Sequence, residues 1–541
     1  MKPILETEAV RRLEDLIEQE GTSKAELMEL AGEFAASIVE ARSPKRVLVV
    51  TGFGNNGGDG WVAADILQHK GIHVDLVTPV EPDEIPSPLA RHVARRTAGR
   101  DVTVIVGPSR DELVALLEKS DVVVDAILGT GFSGTVRAPF PIWIRAINEH
   151  ASDVVSIDIP SGLNAETGKA ADPCVSADAT ATMIATKIGL YSADGPEYAG
   201  EVVCGELYSG LSELIGEVDH VAEFIEASDL ETVLKEIPSA VNKYSRGSVL
   251  VVAGSSTYPG AAMLAAKAAA RAGAGYVSVV APETCANLIR MALPTVPVIA
   301  APADGRGSFG AAARSMIVEL APKYSCVLAG PGITDAAGCM QVVTGLLETE
   351  VPLILDADAL NCLARMTIDG IDSMPELYRR EAPLIMTPHH KELSRLAGGA
   401  SVEELASAID AARTIVWAGG SSNMVVVAKG PVTAAVGVER VLLPPAGPAA
   451  LATAGSGDVL AGIIAGIVAT TREEPESWEL LCSYAVAVHS ATGIAAAASM
   501  GPRSVIATDL IDLIGPAFDM VEAGVEDGLD VVAASAEEEE A

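Results

Sequence analysis

Basic residues are scarce in this chain. Lysine and arginine together number 37 against 73 aspartates and glutamates, for a formal net charge of -36, and lysine itself occurs only 13 times. A field of that sign opposes sequence-independent binding to nucleic-acid phosphates and to anionic membrane, so neither is expected as a partner. Paired cysteines are missing as well. Cys174, Cys204, Cys285, Cys326, Cys339, Cys362 and Cys482 are odd in number, widely scattered and include no C-x-x-C. That excludes a disulfide framework and a structural zinc, and implies a reduced, cytoplasmic compartment. The opening MKPILETEAVRRLEDLIEQEG has no apolar core, so no secretory signal is read there. The longest weakly charged stretch, 446–471, is interrupted by Pro448, several glycines and Asp458, which suits a buried helix entrance better than a membrane span. Aromatic residues are 4% of the chain, and the four tryptophans are expected in packing roles.

What the chain does have is 49% hydrophobic residues and 50 glycines over 541 positions, ample material for aliphatic cores. Two large α/β domains are the reading. After two amphipathic helices over 6–41, short apolar runs at 46–52, 73–79, 102–107, 121–129, 153–160 and 177–185 alternate with helix-length segments. Continuous apolar strands separated by helices imply a parallel sheet covered on both faces, a Rossmann-like three-layer α/β/α domain. The alternation restarts at 248–255 and continues through 276–282, 295–302, 326–332, 352–358, 383–389 and 423–430. A hairpin follows, and three long Ala-rich helices close a second, larger α/β sandwich. The expected boundaries are 1–220, 230–525 and a solvated acidic tail over 526–541.

In the first domain, GFGNNGGDG (52–60) connects a strand ending at Thr51 to a helix expected to begin near Asp59. A glycine-rich turn at a helix entrance lets backbone N–H groups approach an anion. Two further polar loops, ILGTGFSGTVR (127–137) and DIPSGLNAETG (158–168), also follow strand ends. Strand C-termini share one edge of an open parallel sheet, so the three loops should converge on one crevice. Asn56, Asp125 and Ser161 offer hard oxygen ligands of the kind a monovalent or hard divalent cation takes. Asp158 ends an apolar strand, placed for general-base duty or, equally, for capping the turn that follows.

In the second domain, ATAGSGDVLAGIIAGIVA (452–469) is the strongest feature. Gly455, Ser456 and Gly457 present N–H groups at a helix start, and Asp458 in the first turn is poised to deprotonate a hydroxyl beside the bound anion, unless it is simply a helix cap. His389 reads on residues alone as a hydrogen-bonding group at a strand end.

The motifs GNNGGDG, VDAILGTGFSG and DIPSGLNAETG, in that order, resemble the signature loops of the epimerases of hydrated NAD(P)H, NAD(P)HX. The segments YPGAAMLAAKAAARAGAGYVSVV (258–280), VLAGPGIT, LDADALN, TPHHKEL and KGPVTAAVG, with the GSGD helix, stand in the order of a ribokinase-like sandwich. More narrowly they resemble the ADP-dependent NAD(P)HX dehydratases. The resemblance implies one polypeptide that interconverts the R and S hydrates and dehydrates the S form at the expense of ADP or ATP. It implies that Asn55, Asn56, Gly57, Gly58 and Asp59 and the loop Gly129, Thr130, Gly131, Phe132, Ser133, Gly134 and Thr135 hold the hydrate. Asn56, Asp125 and Ser161 would hold potassium, and Asp158 would meet the reacting carbon. In the second domain it puts Ala261, Gly332, His389 and Asp458 at the hydrate. Lys429, Gly430, Pro431, Val432 and Thr433, with Ala454, Gly455, Ser456 and Gly457, would line the nucleotide site. Magnesium would accompany the nucleotide, and a homo-oligomer is the expected assembly. Two departures stand out: Asn242 where the family tends to show His, and His390-Lys391 where it commonly has Pro-Gly.

Two other readings differ in class. A ribokinase-like vitamin kinase with a non-catalytic first module would leave a stable phosphorylated product. A binding or scaffold first domain would need none of Asn56, Asp125, Asp158 and Ser161.

Overall fold

A computed structural model describes residues 1–541 except 219, 231–232, 235–241, 244, 367–379, 420–422, 472–474, 476 and 524–541. The expected acidic tail at 526–541 therefore lies outside the described residues. The chain divides into two compact units, one of Lys2–Ala222 with Glu404–Ala406, the other of Met1, Glu223–Glu403 and Ser407–Ala541.

The first unit is built on seven parallel strands. Across the sheet they run Thr103–Val106, His73–Thr78, Arg46–Thr51, Val122–Ala126, Val154–Ile157, Ala179–Met183 and Glu201–Gly205. Valine-rich central strands such as RVLVVT are buried almost throughout because helices cover both faces. The helices Lys24–Ala41, Asn55–His69 and Pro88–Ala98 pack a core around Trp61 and Leu67 on one face. Arg110–Leu117 and Phe140–His150 enclose Trp143 and Ile144 on the other. The strand order reverses beside Arg46–Thr51, and that reversal opens a crevice at the strand C-termini. The seventh strand escaped sequence reading because EVVCG is short and only partly buried, so it shows no continuous apolar run. A further parallel pair, Lys2–Leu5 beside Thr186–Lys187, belongs to the same unit.

The helix after the first loop begins at Asn55, four residues earlier than expected, so the N-N-G-G-D stretch forms its first turn. The glycines permit this by close packing: a Cβ on Gly57 would fall 2.5 Å from the Gly52 carbonyl oxygen, and one on Gly58 2.7 Å from the Met28 side chain.

The second unit orders its strands Val298–Ala301, Tyr276–Pro282, Ser248–Val252, Cys326–Ala329, Leu353–Leu355, Leu384–Met386 and Met424–Ala428, all parallel. Ala434–Val436 and Val441–Leu443 continue it as the expected antiparallel hairpin, and Glu223 and Phe224 pair in parallel beyond Val441–Leu443. The expected runs all recur as strands, and the ribokinase-like sandwich follows. Helices Ser456–Thr470, Trp478–Met500 and Ala507–Glu522 close the chain. Trp478–Met500 is long and apolar enough to cross a membrane, but 83% of that window is buried inside the fold, where it serves as a core helix. All seven cysteines are free, and six are buried. Trp417 departs from its expected packing role: it is 62% exposed, with only its indole N–H held, by the Val438 carbonyl.

Candidate active sites

At the first unit's sheet edge, a cavity of about 810 Å³ is lined by Asn55, Asn56 and Asp59, by Asp158, and by the loop residues Gly129, Thr130, Gly131, Phe132, Ser133 and Thr135. Gly57 and Gly58 sit behind it, packed against Gly52 and Met28, and Gly134 is not among the lining residues. Beneath the cavity, Asp125, one residue before the end of a central strand, is in register with Ser156 of the next, so the Ser156 hydroxyl donates to its carboxylate at 2.8 Å. Ser161 adds its N–H at 2.8 Å and its hydroxyl at 2.6 Å, and the N–H of Ile127 a fourth bond at 3.2 Å. Burial raises the Asp125 carboxyl above its ordinary range, and these hydrogen bonds oppose the rise. Asn56 donates its Nδ2 to the Leu128 carbonyl at 3.0 Å, while its Oδ1 is buried without a partner.

Asp158 adopts a left-handed backbone, φ 69°, at its strand end, a conformation that costs energy for a non-glycine residue and clusters at functional sites. Its Oδ2 accepts from the N–H of Thr130 at 3.1 Å and its Oδ1 meets the ammonium of Lys187 at 2.7 Å. The capping alternative is thus not the one realised. Lys187 is buried, and its ammonium also donates to the Thr182 hydroxyl at 2.9 Å and the Met183 carbonyl at 3.0 Å. Sequence reading missed Lys187. The available signal was a lone lysine inside the apolar run ATMIATKIGL of a lysine-poor chain. Asp59 faces the same cavity, and burial, then Asp158 and Glu14, push its carboxyl well up, with Lys187 pulling the other way. One cavity therefore holds an ion-paired carboxylate beside a carboxyl that favours its neutral form.

In the second unit, Gly455 takes φ 93° to turn the chain into helix Ser456–Thr470 and supplies no side-chain cap. Among the described residues the N–H groups of Gly457 and Asp458 have no protein acceptor, so the helix start is open to an anion. The Lys429 ammonium stands 3.3 Å from where a Cβ on Gly457 would lie. It is anchored to Asp356 at 2.8 Å, and Asp356 in turn accepts from the Thr387 hydroxyl at 2.7 Å. Asp356 was not singled out from the sequence; it is buried just past its strand, where it orients Lys429. Asp458 does not cap its helix. Burial and then Asp356 push its carboxyl up to about 7 against the pull of Lys429, which suits a general base at neutral pH.

His389 does cap: its Nδ1 accepts from the Lys391 N–H at 3.1 Å at the start of His390–Leu396, in line with its plain reading. Burial and Lys429 lower its imidazole to about 4. A backbone bridge sets His389 beside Lys429, so the two sequence-predicted segments meet. Gly332, at φ 66°, lies so near Ala261 that an added Cβ would be 3.0 Å from the Ala261 Cβ. The turn of Gly430, Pro431, Val432 and Thr433 follows Lys429, the Thr433 hydroxyl reaching the Gly430 carbonyl at 3.5 Å, and Ala454 is exposed at the mouth of the GSGD helix.

A family model described as NAD(P)H-hydrate dehydratase matches residues 249–516, and one described as YjeF-related protein N-terminus matches 24–189. A bifunctional NAD(P)H-hydrate repair enzyme, Nnr, of Salinibacter ruber is 36% identical over 536 residues, which is 92% of this chain and 92% of that protein. The enzyme of the same description from Coxiella burnetii is 33% identical, over 94% of this chain and 98% of its own. A solved ADP/ATP-dependent NAD(P)H-hydrate dehydratase from Bacillus subtilis, co-crystallized with ATP/Mg2+, is 27% identical over 55% of this chain and 98% of its own, with a TM-score of 0.46.

Proposed function

The chain belongs to the family of bifunctional NAD(P)H-hydrate repair enzymes, with an epimerase unit followed by a dehydratase unit, and from that premise we propose which residues carry the two reactions. The observation that carries the reading is a pair of reactive aspartates at two separate sites: Asp158, ion-paired to Lys187 in a cavity, and Asp458, pushed up to about 7 beside an open helix start.

In the first unit the hydrate lies along Asn55–Asp59 and Gly129–Thr135, with its C6 carbinol facing Asp158. Lys187 fixes the Asp158 carboxylate and the Thr130 N–H aims its second oxygen, so the base is held in one rotamer. Potassium fits the oxygens beneath. The buried, unpartnered Asn56 Oδ1, the Ser161 hydroxyl and the Asp125 carboxylate offer hard donors with a single charge, and no cluster of three His, Cys, Asp or Glu suited to a zinc-type ion is present among the described residues. Bound there, the cation would hold the loop ends together and supply fixed positive charge.

In the second unit the nucleotide phosphates lie on the N–H groups of Gly457 and Asp458 with Lys429 alongside, and the adenosine extends over Gly430–Thr433 and Ala454–Ser456. Asp458 takes the proton from the C6 hydroxyl as its oxygen attacks the terminal phosphorus of ADP; the phosphoanhydride breaks and AMP leaves. Elimination follows: the C6–O bond breaks with its electron pair on phosphate, C5 loses a proton, and the dihydropyridine of NAD(P)H is restored. Magnesium bound with the nucleotide would supply positive charge against its phosphates. With ATP the same transfer releases ADP. A cytoplasmic setting without nucleic-acid or membrane partners fits the net charge of -36 and the free thiols. The vitamin-kinase alternative is not favoured, because relatives aligned over both units are hydrate-repair enzymes.

The test is recovery of absorbance at the reduced-nicotinamide band from mixed R and S hydrates with ADP or ATP, magnesium and potassium. Wild type should recover all of it, Asp458→Asn none, and Asp158→Ala only the S fraction. No recovery by wild type with either nucleotide would refute the assignment.

A further inference from the structure

Helix Trp478–Met500 is aliphatic almost throughout, yet it carries a buried histidine. His489 is 8% exposed, and its Nε2 lies 3.1 Å from the hydroxyl oxygen of Ser456, itself 5% exposed. Burial lowers the imidazole to about 4 against the pull of a hydrogen bond with the Ser456 backbone, so it is neutral in the cell and acts through its hydrogen bonds to Ser456. Ser456 lines the adenosine in the reading above, but no proton transfer or phosphate contact proposed there uses its hydroxyl or His489.

The backbone around Ser456 gives the bond a purpose. The Ser456 N–H donates to the Thr453 carbonyl at 3.3 Å and the Val459 N–H to the Gly455 carbonyl at 3.1 Å, which leaves Gly457 and Asp458 as the open donors of the first turn. A serine at a helix start is a competitor for such donors, because its hydroxyl readily accepts from the N–H two residues on. Here that residue is Asp458. Gly455 offers no side chain to close the turn, so Ser456 is the nearest group able to plug it.

We propose that His489 is a positioning residue of the nucleotide site, a latch that holds the Ser456 hydroxyl off the Asp458 N–H and so keeps the helix start open to a nucleotide phosphate. The inference rests on the assignment of that helix start to the nucleotide. Without the latch, Ser456 turns into the first turn, and the phosphate has to displace it. The cost falls on nucleotide binding and leaves the chemistry of the bound complex intact.

The experiment is steady-state dehydration of the S hydrate by the full chain with ADP varied, for wild type, His489→Leu, Ser456→Ala and the double variant. One competing hydrogen bond predicts that His489→Leu raises KM for ADP about fivefold, with kcat at saturating ADP within about twofold of wild type. In the Ser456→Ala background, whatever KM that change itself gives, adding His489→Leu shifts KM by less than about twofold, because the plug is gone and an apolar pair replaces the hydrogen-bonded one. His489→Asn, too short to reach Ser456, gives the same rise in KM while keeping a polar group in the helix, so the idea stays testable if the leucine variant does not fold; His489→Gln keeps the wild-type value. An unchanged KM in both His489→Leu and His489→Asn overturns the latch. A rise in KM from Ser456→Ala to the double variant as large as that from wild type to His489→Leu, or a loss confined to kcat, overturns it too. A wild type that needs no nucleotide overturns the nucleotide assignment along with it.

Discussion

Replacing Asp458 by Asn should stabilise the second unit at the same time as it abolishes dehydration. The folded carboxyl holds its proton up to about pH 7, whereas the unfolded one releases it near the ordinary value of 3.8. Between those values the native state binds the extra proton, so this group makes folding stability fall as pH rises through that window. The penalty is complete above pH 7 and absent below about 4. A difference of roughly three pKa units at about 1.36 kcal/mol each gives a cost of about 4 kcal/mol, an upper figure because Asn keeps a polar group in the same place. Asp458→Asn removes the cost while Lys429 keeps its bond to Asp356. The assay is denaturant unfolding of the second unit, followed by a signal specific to it, at pH 5 and pH 8. The variant should exceed wild type by a few kcal/mol at pH 8 and by clearly less at pH 5, while kcat for dehydration falls by about 10² or more. Equal gains at the two pH values, or a variant less stable than wild type at pH 8, would refute the idea that burial has loaded this carboxyl for catalysis. In wild type, kcat for dehydration should rise with pH through about 7 as the base ionises.

Other consequences concern the first unit. Lys187→Met leaves Asp158 largely buried without its cation and should destabilise that unit by about 3 kcal/mol in thermal or denaturant unfolding; adding Asp158→Asn should restore most of the stability but no R-to-S conversion. A stable single variant would show that the pair is not coupled. Asn56→Ala removes the unpartnered oxygen beneath the cavity and should weaken potassium activation of R-to-S conversion at least tenfold, read as the potassium concentration giving half-maximal rate; an unchanged potassium dependence would displace the ion from this position. Gly57→Ala puts a methyl 2.5 Å from the Gly52 carbonyl and should cost about 2 kcal/mol or more of first-unit stability, measured by unfolding midpoint.

Much of this site was legible because its chemistry is local. The polar loops that follow the apolar runs ending near Thr51, Ala126 and Ile157 stand out by contrast with their strands, and parallel-sheet geometry alone brings the ends of such strands to one edge. Asp125 and Asp158 stand out this way, and Asp458 through the glycine-rich helix start that carries it. The helix start at Asn55 was placed too late because glycines ordinarily signal a turn; their role here is tight packing against Gly52 and Met28, which depends on the neighbours. His389 shows the opposite balance, since its plain hydrogen-bonding reading is the one the geometry bears out most directly.

The sequence by itself determined the two α/β units, the order of their strands along the chain and the loops that carry reactive groups, because hydrophobic period and glycine-rich turns are properties of neighbouring residues. Only the tertiary structure decided which charges answer one another. Lys187 reaches Asp158 across 29 positions, Lys429 reaches Asp356 across 73, and His489 reaches Ser456 across 33. Such pairs form where the fold withdraws water from both partners, and that loss of solvent, which no local pattern encodes, makes each partner's charge or hydrogen bond matter.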